Sequence, residues 1–133
     1  MSRLMLDTNA ASRVIRNDPA VVARLISKAP SDVCISAVTR GELLFGVARR
    51  PEAVSLRRTV DAFLLSVEAL AWDRPAADRY GAARASLERR GRPLGALDMM
   101  IAAHAISVGA VLVTHDAAFG QVEGLELEDW EAG

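Results

Sequence analysis

The chain has 133 residues, of which 51% are hydrophobic and 25% charged, and its formal net charge is −1 at pH 7. This length predicts one domain, the composition excludes a disordered chain, and every apolar run is too short to span a bilayer. The single cysteine, Cys34, excludes an internal disulfide framework. No signal-peptide pattern precedes the first apolar run, so we expect a cytoplasmic protein without a membrane partner.

The first half of the chain alternates short apolar runs with helical patterns. Leu4 to Leu6 predicts a buried strand whose end is marked by the polar residues 7–9. Two helices follow, over Ala10 to Arg16 and after Asp18-Pro19, a pair typical of an N-cap and a first helical position; the second ends at 29–31. The next predicted elements are a strand over 33–35, a helix from 37 to about 49 that Ser36 caps, and a helix from Pro51 to about Val67. The residues of this last helix expected to face inward are Val54, Val60, Phe63, Leu64 and Val67.

The second half continues this alternation. A weak strand over 70–72 precedes a helix that Asp73 caps and that ends before Gly91. After a loop over 91–95 we predict a helix from about Leu97 to Val108, a strand over 110–113 and an edge strand over 125–127. Strands separated by helices need crossover connections, which indicates a mainly parallel sheet with helices on both faces. We therefore predict one domain over residues 1–133, with a small three-layer α/β/α architecture.

Four acidic residues occupy positions that are unusual for surface charges. Asp7 and Asp116 each follow an apolar strand directly, and Glu42 and Asp98 lie among apolar residues of predicted helices. The carboxyl ends of parallel strands lie at one edge of a sheet, where ligands gather, so we expect all four carboxylates to meet there. Each also has a structural alternative. Asp7, Asp98 or Asp116 could cap a helix, and Glu42 could reach a helix-end amide or pair with Arg40 or Arg49.

The helical faces around the two helical acids are apolar. Glu42 shares its face with Val38, Phe45 and Gly46, and Asp98 shares its face with Leu94, Leu97, Ile101, Ala102 and Ala105. A buried carboxylate is costly unless it is paired, hydrogen-bonded or bound to metal. Close carboxylates raise one another's pKa, a divalent cation removes that conflict, and oxygen ligands favour Mg²⁺ or Mn²⁺ over zinc. Such a site activates water for phosphoryl displacement, which predicts a nuclease.

The order of these motifs resembles that of PIN-domain ribonucleases. The resemblance is carried by Leu6-Asp7-Thr8-Asn9, Ser36 with Glu42-Leu43 and Gly46, Leu97-Asp98 with Ile101-Ala102-Ala103, and Val113-Thr114-His115-Asp116 with Phe119. The short length is similar to that of VapC-type toxins of bacterial toxin–antitoxin pairs. The resemblance implies an Mg²⁺-dependent endoribonuclease, with Mn²⁺ able to substitute, that cleaves structured RNA (a tRNA or a ribosomal RNA loop) to inhibit translation. It also implies a homodimer that binds a VapB-like antitoxin in a hetero-oligomer.

The resemblance implies roles for individual residues. The metal-site and catalytic acids are Asp7, Glu42, Asp98 and Asp116, and the first and third of these are expected to contact the metal most directly. Polar residues expected to orient the acids are Thr8, Asn9 and Thr114. Arginines expected to contact the RNA backbone are Arg13, Arg40, Arg49 and Arg92.

Other residues have weaker functional predictions. His104 and His115 are expected to face away from the acids, so no histidine is needed for the reaction. Residues on the mid-chain helices that could meet the antitoxin or a second protomer are Arg57, Arg58, Phe63 and Leu64.

Two alternatives remain open at this point. A PIN-like protein could keep the fold for binding alone, as a non-catalytic interaction module. A haloacid-dehalogenase-like phosphotransferase would also begin with a strand followed by an Asp. That class needs a second acid two residues later, where this chain has Asn9, and nothing marks Lys28, the single lysine, as a site residue.

Overall fold

The computed structural model of the chain describes residues 3–131, so Met1 and Ser2, on which the expected absence of a signal peptide rests, lie outside the described residues. The strands are β1 (Leu4–Leu6), β2 (Val33–Ser36), β3 (Glu68–Leu70), β4 (Val111–Val113) and β5 (Leu127–Glu128). The α-helices are α1 (Thr8–Ile15), α2 (Pro19–Ile26), α3 (Ala37–Ala48), α4 (Val54–Ser66), α5 (Arg74–Arg89) and α6 (Ala96–Ser107). Two 3₁₀ helices span Pro30–Asp32 and Ala117–Gln121.

The strands form one parallel sheet in the order β3-β2-β1-β4-β5. Leu6 at the end of β1 is in register with Ile35 of β2 and Val113 of β4. Three strands therefore end at the same level, and the residues that follow them meet at one edge. The predicted parallel α/β fold is confirmed.

Helices cover both faces of this sheet, as the three-layer prediction required. Side chains alternate along a strand, so neighbours on β1 enter different cores. Leu4 and Leu6 pack with buried residues of α1 to α4, whereas Met5 packs with Leu87 of α5 and Ile101 of α6. The central strand β1 is thus buried on both faces, and this packing fixes the position of the polar residues 7–9 at the sheet edge.

The predicted helix caps are confirmed. Ser36 accepts from the N–H of Val38 at 3.1 Å and caps α3, and Asp73 accepts from the N–H of Ala76 at 3.2 Å and caps α5. Asp18 caps α2 in the same way. Gly91 follows α5 with φ +63°, a conformation that favours glycine.

Two predicted elements were misplaced. The fourth helix begins at Val54 and not at Pro51, because residues 51–53 form a turn; Val54 is consequently 57% exposed and does not face inward. The third strand ends at Leu70, because the next residues leave the ladder and the Trp72 indole donates to the carbonyl of Met100 at 3.0 Å.

The remaining boundary differences are smaller. Helix α1 begins two residues early at Thr8, helix α2 already ends at Ile26, and β5 lies over Leu127–Glu128 because Leu125 packs into a core. Phe63 is only 7% exposed, so this residue cannot contribute to a docking surface on α4. Within residues 3–131, no helix combines the length and apolar content needed to cross a membrane.

Candidate active site

Asp7 lies at the centre of the sheet edge and both caps a helix and faces the site. Its N–H donates to the carbonyl of Val113 at 3.0 Å, and its carboxylate accepts from the N–H of Ala10 at 2.7 Å, which caps α1. The residue is only 4% exposed. Burial raises the pKa of Asp7, hydrogen bonds from Thr114 and Ala10 oppose this, and the charges of Asp116 and Glu131 raise the pKa further.

Glu42 reaches the same edge from α3. The Thr8 hydroxyl donates to Glu42 Oε1 at 2.5 Å and lies 3.2 Å from the hydroxyl of buried Thr39. Among the described residues Glu42 forms no ion pair, so the alternative of pairing with Arg40 or Arg49 is wrong. Thr8 therefore holds one carboxylate oxygen of Glu42 and leaves the other for a ligand.

Asp98 is half-buried in the first turn of α6. The helix is capped at Gly95, so the alternative that Asp98 itself caps the helix is wrong, and its side chain accepts no hydrogen bond within residues 3–131. Leu97 beside it is 48% exposed and so lies outside the predicted apolar stripe, as does Phe45 near Glu42 at 64%. Burial raises the pKa of Asp98, and the charges of Asp7, Glu42 and Asp116 add to this rise.

Asp116 and Thr114 complete this group beyond β4. Asp116 accepts from the N–H of Ala118 at 2.9 Å and caps the second 3₁₀ helix. Its own N–H donates to the Thr114 hydroxyl at 3.0 Å, and that buried hydroxyl lies close enough to the carboxylate of Asp7 to lower its pKa. Thr114 thus lies between two of the acids, and its role in orienting them stays a prediction.

Asn9 does not make the orienting contact expected of it. Its side chain is exposed and forms no hydrogen bond within the described part of the chain. It lines two cavities that flank the acids. A cavity of about 400 Å³ is lined by residues including Thr8, Asn9, Arg16, Glu42, Arg49 and Arg50. A second, of about 330 Å³, is lined by Asn9, Arg13, Arg16, His115, Asp116 and Glu131.

The predicted RNA-contacting arginines are placed differently from one another. Arg13 lines the second cavity and pairs with Asp18 at 3.2 Å and Glu131 at 3.4 Å. Arg49 lines the first cavity, with its guanidinium 5.4 Å from the centre of the Phe45 ring. Arg40 and Arg92 are exposed and line neither cavity. Their RNA contacts stay predictions.

Arg16 and Glu131 reach the site although they were not predicted there. Arg16 lies one helical turn after Arg13, so the spacing of the two arginines could have placed both on the same face of α1. Glu131 is brought in by the chain end, where Trp130 is buried and donates to Glu128 at 2.7 Å. No local sequence pattern predicts that Glu131 lies at the site.

Neither histidine lies among the four acids of the site (Asp7, Glu42, Asp98 and Asp116), which we call the acid group. His104 is buried, with Nδ1 2.7 Å from Ser36 Oγ, and burial lowers its pKa against an opposing effect of the Asp73 charge. His115 is exposed at the second cavity, and its pKa is raised by the hydrogen bond and charge of Asp129, 2.9 Å away.

The chemistry of the acids fits a hard divalent cation. Within residues 3–131 no three acidic, cysteine or histidine side chains share one point at ligating distance. Nevertheless, burial and like charge both raise the pKa values of Asp7 and Asp98, and an ion bound by carboxylate oxygens would remove that conflict. Asp116 is exposed, and the half-buried Asp98 accepts no hydrogen bond within residues 3–131, so oxygens of both remain open to an ion.

Known proteins resemble this chain over almost its whole length. The PIN domain family model matches residues 4–125. The tRNA(fMet)-specific endonuclease VapC of Shigella flexneri is 38% identical over 131 residues, which is 98% of this chain and 99% of that protein. The same-named protein of Salmonella typhimurium is 37% identical, also over 98% and 99% of the two chains.

Solved structures agree with these sequence relationships. The DNA-bound VapBC structure from Salmonella typhimurium contains a chain with a TM-score of 0.91 and 37% identity, over 98% of this chain and 99% of that one. The VapBC-1 structure from nontypeable Haemophilus influenzae gives a TM-score of 0.85 at 30% identity, over 96% and 98%. The chain therefore belongs to the PIN domain family and, within it, to the VapC ribonucleases.

Proposed function

We propose that this VapC-type ribonuclease uses Mg²⁺, which Mn²⁺ can replace, to cleave a structured RNA and thereby inhibit translation. The observation that carries the proposal is the electrostatic grouping of Asp7, Glu42, Asp98 and Asp116 at one edge of the sheet. A non-catalytic protein with this fold would not need several like charges beside a buried carboxylate. We also propose that residues 1–133 form one PIN domain.

The side chains of the site suit this reaction. Asp7 and Asp98 would hold the metal most directly, with Glu42 and Asp116 beside them. When bound, the ion lowers the pKa of a water and stabilises charge on the phosphoryl oxygens. Thr8 holds Oε1 of Glu42, so the second oxygen can orient the attacking water. Thr114 and the N–H of Ala10 hold Asp7 in place, which preorganises the site before substrate arrives.

A tRNA is the best-supported substrate class. Two relatives at 38% and 37% identity are named as tRNA(fMet)-specific endonucleases, so initiator tRNA is the first RNA to test. Aromatic residues make up only 5% of the chain, which favours recognition of backbone and shape over base stacking. A tRNA substrate would place the enzyme in the cytoplasm.

A VapB-like antitoxin is the proposed protein partner. The similar structures include VapBC complexes, and those from Rickettsia felis and Salmonella typhimurium are bound to DNA. We propose that this chain forms a homodimer within such a hetero-oligomer. Co-expression with the small protein encoded beside it should relieve growth arrest, whereas a chain that is harmless when expressed alone would contradict the toxin assignment.

The decisive experiment is cleavage of purified initiator tRNA, with mapping of the new RNA ends. We expect cleavage in Mg²⁺ or Mn²⁺ and none in EDTA. Asp7→Asn should abolish cleavage, whereas Asp78→Asn, which changes an exposed acid on α5, should cleave like the wild type. Cleavage by Asp7→Asn at the wild-type rate would contradict the site assignment. Failure of the wild type to cleave any RNA in either ion would favour the non-catalytic interaction module.

A further inference from the structure

Arg16 lies at the junction of the two cavities that flank the acids. It ends α1 as the C-cap residue and, together with Asn9, lines both cavities. The first cavity also contains Glu42, and the second contains Asp116. Because the cavities share Asn9 and Arg16 and each contains one of the acids, the reacting phosphodiester would lie where the two cavities meet.

The guanidinium of Arg16 forms no ion pair within residues 3–131, whereas that of Arg13 forms two. Arg13 is held by Asp18 and Glu131, two carboxylates at 3.2 and 3.4 Å. Arg16 is exposed and makes no side-chain hydrogen bond or ion pair within residues 3–131. An unpaired arginine beside a group of acids offsets the repulsion that these acids exert on a polyanion, and its planar fork suits a phosphate.

The two cavities offer space for RNA on both sides of the acids. Their volumes, about 400 and 330 Å³, fall in the range of cavities that hold a small organic ligand. The first also presents Arg49 and Arg50, which are exposed cations suited to a backbone. Only a ligand that continues in both directions from its reacting group would use both cavities, and a polynucleotide strand does so.

We propose that one RNA strand crosses from the first cavity to the second over Arg16, which binds the backbone phosphate next to the one that is cleaved. This inference rests on the proposed ribonuclease function and adds the path of the substrate. Arg16 is thereby a substrate-binding residue, and Arg13 mainly positions the chain end through Glu131. The four acids carry out the cleavage, and Arg16 positions the strand so that the scissile phosphate lies beside them.

The test measures RNA binding and cleavage separately. Binding is measured by titrating a tRNA into Asp7→Asn, which prevents cleavage, over a series of salt concentrations. Adding Arg16→Gln should weaken binding about tenfold and reduce the salt slope by about 0.7, as for the loss of one single-strand phosphate contact. Arg16→Lys should restore part of the affinity. Arg74→Gln, which removes an exposed arginine outside both cavities, should bind like the Asp7→Asn parent.

Cleavage assays identify the phosphate. In the otherwise wild-type enzyme, Arg16→Gln should raise KM about tenfold and leave the single-turnover rate at saturating RNA within about twofold. A neutral methylphosphonate beside the scissile phosphate should weaken binding to the Asp7→Asn parent. The same methylphosphonate should not weaken RNA binding further when the protein also carries Arg16→Gln.

Each other outcome overturns the proposal in a recognisable way. If wild-type enzyme cleaves RNA and Arg16→Gln binds RNA as its parent does, the strand path is wrong and the ribonuclease proposal stands. If Arg16→Gln weakens binding of the antitoxin only, Arg16 belongs to the protein interface. If the Asp7→Asn parent does not bind RNA and the wild type does not cleave it, both proposals fail together.

Discussion

His104 of α6 and Ser36 at the start of α3 share a buried hydrogen bond, with Nδ1 of the histidine 2.7 Å from Oγ of the serine. The same Ser36 oxygen accepts from the N–H of Val38 and so caps α3. Helix α3 carries Glu42 and helix α6 carries Asp98. One hydroxyl therefore connects the two helices that supply these acids to the site, although neither His104 nor Ser36 belongs to the acid group.

Ser36→Ala should destabilise the protein by roughly 2–4 kcal/mol, because it removes a helix cap and leaves the buried imidazole without its partner. Urea denaturation would measure the change. Ser55→Ala, at an exposed serine of α4 whose side chain forms no hydrogen bond within the described residues, serves as the control and should change stability little. A loss equal to that of the control would show that the hydroxyl does not connect the helices.

The two histidines should give opposite contributions to the pH dependence of stability. Burial lowers the pKa of His104 below 6.5. The stability that its neutral imidazole contributes is therefore lost as pH falls below 6.5, because the unfolded chain takes up a proton first. Asp129 raises the pKa of His115 above 6.5, so that contribution is present at lower pH and is lost as pH rises through the folded-state pKa.

Urea denaturation between about pH 5 and pH 7 would separate these contributions. His115→Asn should lose stability more steeply on acidification than the wild type, and His104→Gln less steeply. The carboxylates titrate alike in all three proteins, so comparison of the slopes cancels them. Parallel curves for the three proteins would contradict both assignments.

Substitutions of Asp7 should separate charge from capping. Because the folded-state pKa is raised, this carboxyl stabilises the fold below pH 3.8, which is its pKa in the unfolded chain. That stabilisation is lost as pH rises through the folded-state pKa. At neutral pH, Asp7→Asn should therefore match or exceed wild-type stability, since Asn keeps the acceptor for Ala10. Asp7→Ala should be about 1 kcal/mol less stable than Asp7→Asn, because the cap is lost. Thermal unfolding would measure both variants, and equal stability of the two would contradict the capping role.

Thr8→Val should weaken metal binding without removing any acid. The change deletes the hydroxyl that holds Glu42 and leaves a buried Thr39 hydroxyl with one partner fewer. Loss of such an orienting group costs about 10–100-fold in metal affinity. The melting temperature of the wild type should rise with Mg²⁺, and Thr8→Val should need correspondingly more Mg²⁺ for the same rise. The exposed Thr59→Val on α4 is the matched control, and an unchanged titration for Thr8→Val would exclude the orienting role.

Much of the fold and part of the site were determined by local sequence. The apolar run before Asp7 places a carboxylate directly after a buried strand, and Ser36 and Asp73 each stand where a helix begins. These features follow from backbone geometry and from the alternation of apolar and polar residues, both of which act over a few neighbouring positions. The same logic located Glu42 and Asp98 as acids among apolar residues.

Tertiary structure alone decided which polar groups are partners. Arg13 and Arg16 look alike in the sequence, yet Asp18 and Glu131 hold the first and leave the second free. Glu131 reaches the site only because Trp130 is buried in a core built by distant elements. Pairing between residues far apart in the chain depends on how whole helices and strands pack, and periodicity along the chain does not encode that packing.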